Sequence, residues 1–135
     1  MTQKHISQLM LVLLIVSCVA TGCSSSDSII NTTIGEMTIK STEIIDEFSG
    51  YKAASGYKFL LIYFTSEDGE TKGGFNEAAE NVYVSSSTSN IKYEIFFGGI
   101  YNSENFLLFS VPESATEMML YWQGNDPISF TISEP

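Results

Sequence analysis

Arginine is absent from this 135-residue chain, histidine occurs once (His5), and cysteine occurs only as Cys18 and Cys23. Nothing after position 23 can therefore assemble a thiol–histidine pair or a Ser-His-Asp triad. Zinc sites built from imidazole or thiolate are excluded on the same grounds. Six lysines are the only cationic side chains apart from His5, and they stand against sixteen acids for a formal net charge of −10. Lys4 is the one lysine in the first 26 residues, and every acid lies beyond them. Nucleic-acid binding requires a basic face that releases counterions from phosphate, so this composition argues against it. The acidic excess serves solubility and, secondarily, favours cationic partners. No segment carries a long helical pattern, and a single tryptophan, Trp122, is present.

What is there begins with Lys4 and His5, followed by the unbroken apolar run Leu9–Val16 and the small residues Ala20, Thr21 and Gly22 ahead of Cys23. Taken generously, the apolar segment is about 15 residues, short of the roughly 20 that a spanning helix needs. A basic start, an apolar centre and small residues before a cut define a cleavable leader. This leader resembles a bacterial lipoprotein signal, whose terminal cysteine receives diacylglycerol before cleavage. Ala20 stands where that family most often has leucine. The resemblance implies lipidation at Cys23, with acyl chains such as palmitate. Two or three chains would anchor the protein durably to a cell membrane or outer membrane, facing the extracytoplasmic side, where one chain would hold only marginally. Cys18 would leave with the leader and Cys23 would be consumed by lipid, so no disulfide is available.

Ser24-Ser25-Ser26-Asp27-Ser28 reads as a flexible tether extending to about Thr33. Beyond it the pattern is β throughout. Met37-Thr38-Ile39-Lys40 alternates and continues to Ile44 and Ile45. Phe48 to Gly56 reads as a loop. Tyr57 to Thr65 is apolar almost without interruption and, with its aromatic and β-branched content, reads as a central strand. Glu67-Asp68-Gly69-Glu70 is a turn in which Gly69 supplies positive φ. Glu77-Ala78-Ala79-Glu80 is the only helix-like patch. Short strands follow at Asn81–Ser85, Ile91–Phe97, Asn105–Val111, Glu117–Trp122 and Ile128–Ile132. In the second of these, alternation places Ile91, Tyr93, Ile95 and Phe97 on one face and Phe96 on the other. About seven strands with turn signals throughout predict an all-β antiparallel sandwich.

Several stretches carry a further resemblance: Met37 to Ile45, Gly56 to Thr65, Phe109-Ser110-Val111-Pro112 before Leu120-Tyr121-Trp122, and Ile128 to Ile132. Over about residues 34–133 the chain resembles an immunoglobulin-like domain of unknown function found in bacterial and archaeal lipoproteins, related in fold to a secreted mycobacterial antigen. It departs at Ser66-Glu67-Asp68, where members often carry an asparagine that starts a turn. The resemblance implies an immunoglobulin-like fold and an envelope location, and it brings no activity and no catalytic residues. The expected organisation is a signal peptide over residues 1–22, the lipidated cysteine and tether over 23–33, and the β-sandwich domain over 34–135.

Ser55-Gly56-Tyr57-Lys58 matches the Ser-x-x-Lys of penicillin-binding enzymes in letters alone. That chemistry needs the serine at a helix start, and here a strand begins at once. Glu67, Asp68 and Glu70 offer hard oxygens to calcium, but their spacing is not that of an EF-hand loop, and a solvated turn is the plainer reading. Tyr51, Tyr57, Tyr101 and Trp122 lie in or near loops and strand ends, and with Phe96 they are the candidates for an exposed aromatic surface that binds glycan or protein, Phe96, Tyr101 and Trp122 foremost. The chain is expected to be a non-enzymatic, lipid-anchored domain that binds an envelope protein or glycan and needs no cofactor. A weak calcium-responsive surface is the alternative reading. A hydrolase using two carboxylates would need a cleft that so small a sandwich rarely provides.

Overall fold

The structure is a computed structural model that describes residues 28–132. Its ten strands are β1 (Ile30–Thr32), β2 (Gly35–Ile45), β3 (Glu47–Phe48), β4 (Tyr51–Lys52), β5 (Tyr57–Ser66), β6 (Tyr83–Ser86), β7 (Lys92–Tyr101), β8 (Glu104–Pro112), β9 (Glu117–Tyr121) and β10 (Ile128–Thr131). One short helix, α1 (Phe75–Ala78), interrupts them. Eight strands form a single curled antiparallel sheet in the order β1-β2-β5-β8-β7-β6-β9-β10, and β3 pairs only with β4. Among the described residues no helix is long and apolar enough to cross a membrane.

The curl follows from β7. Its first part, Lys92 to Glu94, pairs with β6, and its remainder, Ile95 to Tyr101, pairs with β8. Register shifts between Ile95 and Phe97, so Phe96 is the extra residue of a β-bulge. Bulges bend a strand and sharpen its twist, and this one lets β7 belong to both leaves of the sheet. The inner surfaces of the two leaves close on one core. Leu60, Ile62 and Phe64 of β5 and Leu107, Phe109 and Val111 of β8 meet Val84 of β6 and Met118 and Leu120 of β9.

Strand β5 explains its own sequence. Its even-numbered residues face that core, while Phe59, Leu61 and Tyr63 join a second cluster with Phe106 and Leu108 on the opposite face. A strand buried on both faces reads as a continuous apolar run instead of an alternation. The second cluster is covered by Phe48 and Ala53. Residues 48–56, which read as loop, therefore contain all but the first residue of a small hairpin that roofs the outer face. Its turn, Ser49-Gly50, has φ of 52° and 86°, the paired positive φ of a type I′ reversal.

The stretch expected to be tether also differs. Ile30–Thr32 is a strand on β2, and Ile30 is wholly buried. Asn125 holds it in place: its Oδ1 accepts from the Asn31 N–H at 2.8 Å, and its Nδ2 donates to the Asn31 carbonyl at 3.0 Å. The side-chain amide imitates a neighbouring strand and caps the β1 edge.

The β7–β8 hairpin turns through Asn102 and Ser103, with φ of 52° and 62°. Asparagine tolerates this region, whereas serine is strained there by about 1 kcal/mol. Ser103→Gly is expected to raise stability by about that amount, read as a higher urea midpoint at unchanged slope. The Thr71 hydroxyl donates to the backbone carbonyl of Ser103, so that bond survives the substitution.

Candidate functional site

The outer face of β5, β8 and β7 carries an aromatic cluster. The bulge creates it. Strict alternation would send Phe96 and Phe97 to opposite faces, and the extra residue instead turns both outward. Ile95 packs on the inner core and Phe97 on the outer one. The Phe96 ring lies 5.2 Å from Phe97 and 5.3 Å from Phe59. The expectation of opposed faces is thus corrected, because a bulge shifts the phase of every residue beyond it.

The hairpin supplies the remaining rings. Phe48 sits 5.7 Å from Phe97, 5.1 Å from Tyr101 and 5.3 Å from Phe106. It thereby bridges Phe97 and Tyr101 on the same strand. Tyr51 packs edge-on to Phe96 at 5.9 Å and tilted to Phe97 at 5.4 Å. Tilted and edge-to-face pairs of this kind add to the burial energy. The cluster is anchored at Phe59 and Phe106 and open at its top, where Tyr51 is 54% exposed, Phe96 46% and Tyr101 40%. An ion pair between Lys40 and Glu104 borders the Tyr101 end. Lys40 is itself the extra residue where β2 shifts register against β5.

Tyr63 lies on the same face. Burial first, and then the Glu43 carboxylate that its hydroxyl meets at 3.3 Å, push its pKa up to about 12. The phenol therefore stays neutral and serves packing.

Of the sequence-predicted surface residues, Phe96 and Tyr101 come together through Phe97 and Phe48, and Trp122 does not join them. Trp122 is 4% exposed and packs edge-on to Phe64 at 5.8 Å and against Phe75 at 5.7 Å in the main core. Its place at the end of a strand suggested exposure, but α1 brings Phe75 over it. Tyr51, a loop aromatic that the sequence also offered for such a patch, does join the cluster, through Phe96 and Phe97, which are distant from it in sequence. The bulge had no sequence signal beyond the Phe-Phe pair that breaks the alternation.

The acidic turn is built around one carboxylate. Asp68 Oδ2 accepts from Lys72 Nζ at 2.7 Å, and Oδ1 accepts from the Glu70 N–H at 2.9 Å and lies 2.6 Å from the Ser66 hydroxyl. Lys72, Ser66 and the Glu70 amide together hold the Asp68 carboxyl well below the usual carboxylate range. The lysine ammonium thus occupies the side of Asp68 that a cation would use, and neither Glu67 nor Glu70 forms a side-chain ion pair with Lys72. Among the described residues no group of three or more His, Cys, Asp or Glu could hold a metal ion. Because the folded pKa is depressed, the turn's contribution is present above the unfolded value of about 4 and is lost as pH falls below it. Asp68→Asn is expected to flatten that acid limb. Urea midpoints of both proteins between about pH 2 and pH 7 measure it, the wild type losing more on acidification.

Ser55 lies in an exposed turn and Lys58 is buried, its Nζ donating to the Ala115 carbonyl at 2.9 Å. The Ser-x-x-Lys letters therefore do not form a pair. Cys23 and the leader lie outside the described residues. Comparison with protein-family models, with curated proteins and with solved structures finds no match to this chain.

Proposed function

We propose that this chain is a lipid-anchored binding domain of the cell envelope. Its β domain is an immunoglobulin-like sandwich, held outside the cytoplasm by acyl chains on Cys23, and its exposed outer-face aromatics engage an envelope protein or glycan. The observation that carries the reading is the open aromatic cluster. Tyr51, Phe96 and Tyr101 stay substantially exposed while resting on buried rings beneath them. Rigid aromatics supply contact area at low entropic cost and are enriched at the centres of interfaces. The apolar leader ending in Ala20-Thr21-Gly22-Cys23 supports the anchor. At the rim of the cluster, Lys40 and Glu104 are paired with each other.

One experiment with two arms tests the reading. In producing cells, Cys23→Ser should end fatty-acid labelling and release the protein from the membrane fraction. On the anchored protein, Tyr51→Ala with Phe96→Ala should lower partner capture from envelope extracts about tenfold or more. Both rings are exposed, so the fold should persist. Labelling that persists in the serine variant would remove the anchor. Capture unchanged by the double substitution would remove the surface.

A further inference from the structure

Strand β7 changes partner along its length, with β6 on one side at its start and β8 on the other beyond it. From Ile95 to Tyr101 it pairs with β8, while β6 reaches no further than Glu94. The backbone groups of Phe97 to Tyr101 that point away from β8 have no partner among the described residues. Helix α1 approaches this strand, with Asn76 Oδ1 2.7 Å from where a Cβ on Gly98 would lie, but donates no hydrogen bond to it.

Native sheets guard such edges with charge, proline, bulges or a covering helix. Here the bulge at Phe96 and helix α1 beside Gly98 stand at one end of the stretch, and charge and proline are absent from it. Residues 95–103, Ile-Phe-Phe-Gly-Gly-Ile-Tyr-Asn-Ser, include no acid, no lysine and no proline. Phe96, Ile100 and Tyr101 are 46%, 56% and 40% exposed along it. We propose that this edge pairs with the same edge of a second copy of this chain, antiparallel and two-fold symmetric about Gly99.

Charge selects that occupant. A chain of net charge −10 repels its own copy wherever acids meet. Pairing about Gly99 places Phe97 opposite Tyr101 of the other copy and leaves Glu94 and Glu104 outside the paired window. Like charges directly across are thereby avoided, and an aromatic cross-strand pair is gained. A cationic peptide would find no acid on the edge to recognise. The outer faces of the two copies would run on into one another and join two aromatic clusters. A five-residue pairing buries well under about 1,000 Å², so the association is weak and concentration-dependent. This goes beyond the envelope-binding reading, because it concerns the strand edge and holds whatever the anchor or the other partner.

The test places a benzophenone amino acid at Phe96 in the full-length protein and irradiates membranes of the producing cells. A dimer-sized adduct is expected, with its cross-link mapping to the β7–β8 hairpin of a second copy. Adding Ile100→Lys, an exposed change that should leave the melting temperature in place, is expected to lower the yield about tenfold by setting a charge on the edge. Monomer alone, adducts only to other proteins, or a dimer indifferent to the lysine would each overturn the proposal. The envelope-binding reading is separated from this one by Tyr51→Ala alone, since Tyr51 lies off this edge on the hairpin.

Discussion

Trp122→Ala is expected to destabilise the domain by about 3–5 kcal/mol, the range for truncating a buried large aromatic. Trp122 joins three parts of the fold. It follows β9 directly, it meets Phe64 of β5 edge-on, and it packs on Phe75 of α1. Removing the indole leaves a cavity among residues from both leaves that strands on either side cannot readily close. Domains of this size hold about 5–15 kcal/mol in total, so the loss consumes much of the margin. At about 4–8 °C per kcal/mol the melting temperature should fall by about 12 °C or more. Thermal unfolding followed by circular dichroism measures it, since the substitution removes the only tryptophan. Phe96→Ala, exposed at the outer face, should cost about 1 kcal/mol or less. Equal losses in the two variants would mean that core and surface have been confused.

The second large effect is expected at Asn105. This β8 residue is 1% exposed, and its side chain pairs with the backbone of Lys72. Oδ1 accepts from the Lys72 N–H at 2.9 Å, and Nδ2 donates to the Lys72 carbonyl at 2.8 Å. The amide behaves as one rung of a ladder and holds the segment after the acidic turn against the sheet. Asn105→Ala leaves both backbone groups without that partner, at about 2–4 kcal/mol for the pair. Asn105→Asp keeps the acceptor but sets a carboxylate oxygen against the Lys72 carbonyl. It should cost at least as much at neutral pH and recover on acidification, when the introduced carboxyl gains a proton to donate. Urea unfolding gives the energies, and faster hydrogen exchange at the Lys72 amide locates the cause. An alanine variant as stable as wild type, with that amide still protected, would show that the clamp contributes nothing.

Much of the β architecture is legible in the sequence because burial writes itself as pattern. The two-sided burial of β5 appears as the unbroken run Tyr57–Thr65, and Asp68-Gly69 announces its turn. The short helix also falls where Glu77 and Ala78 suggest. What is not legible is what distant residues decide. Ile30–Thr32 is too short and too polar to declare itself a strand, and it owes its place to Asn125, 94 positions from Asn31. Phe48 to Gly56 reads as loop because the hairpin it largely contains, Glu47–Lys52, is two residues a side and is held by rings it covers. Trp122 looks like a surface anchor until Phe75 is brought over it. At Phe96 the alternation is clear and misleading, since the period of two holds up to Ile95 and the bulge then resets it.

The proposed recognition surface stands on that bulge. Proton nuclear Overhauser contacts of the Phe96 ring test it most directly. Contacts to Tyr51 and Phe59 are expected, with none to Val84 or Trp122. A Phe96 ring in contact with the inner core would contradict the account, and the outer aromatic surface would lose the residue that opens it to a partner.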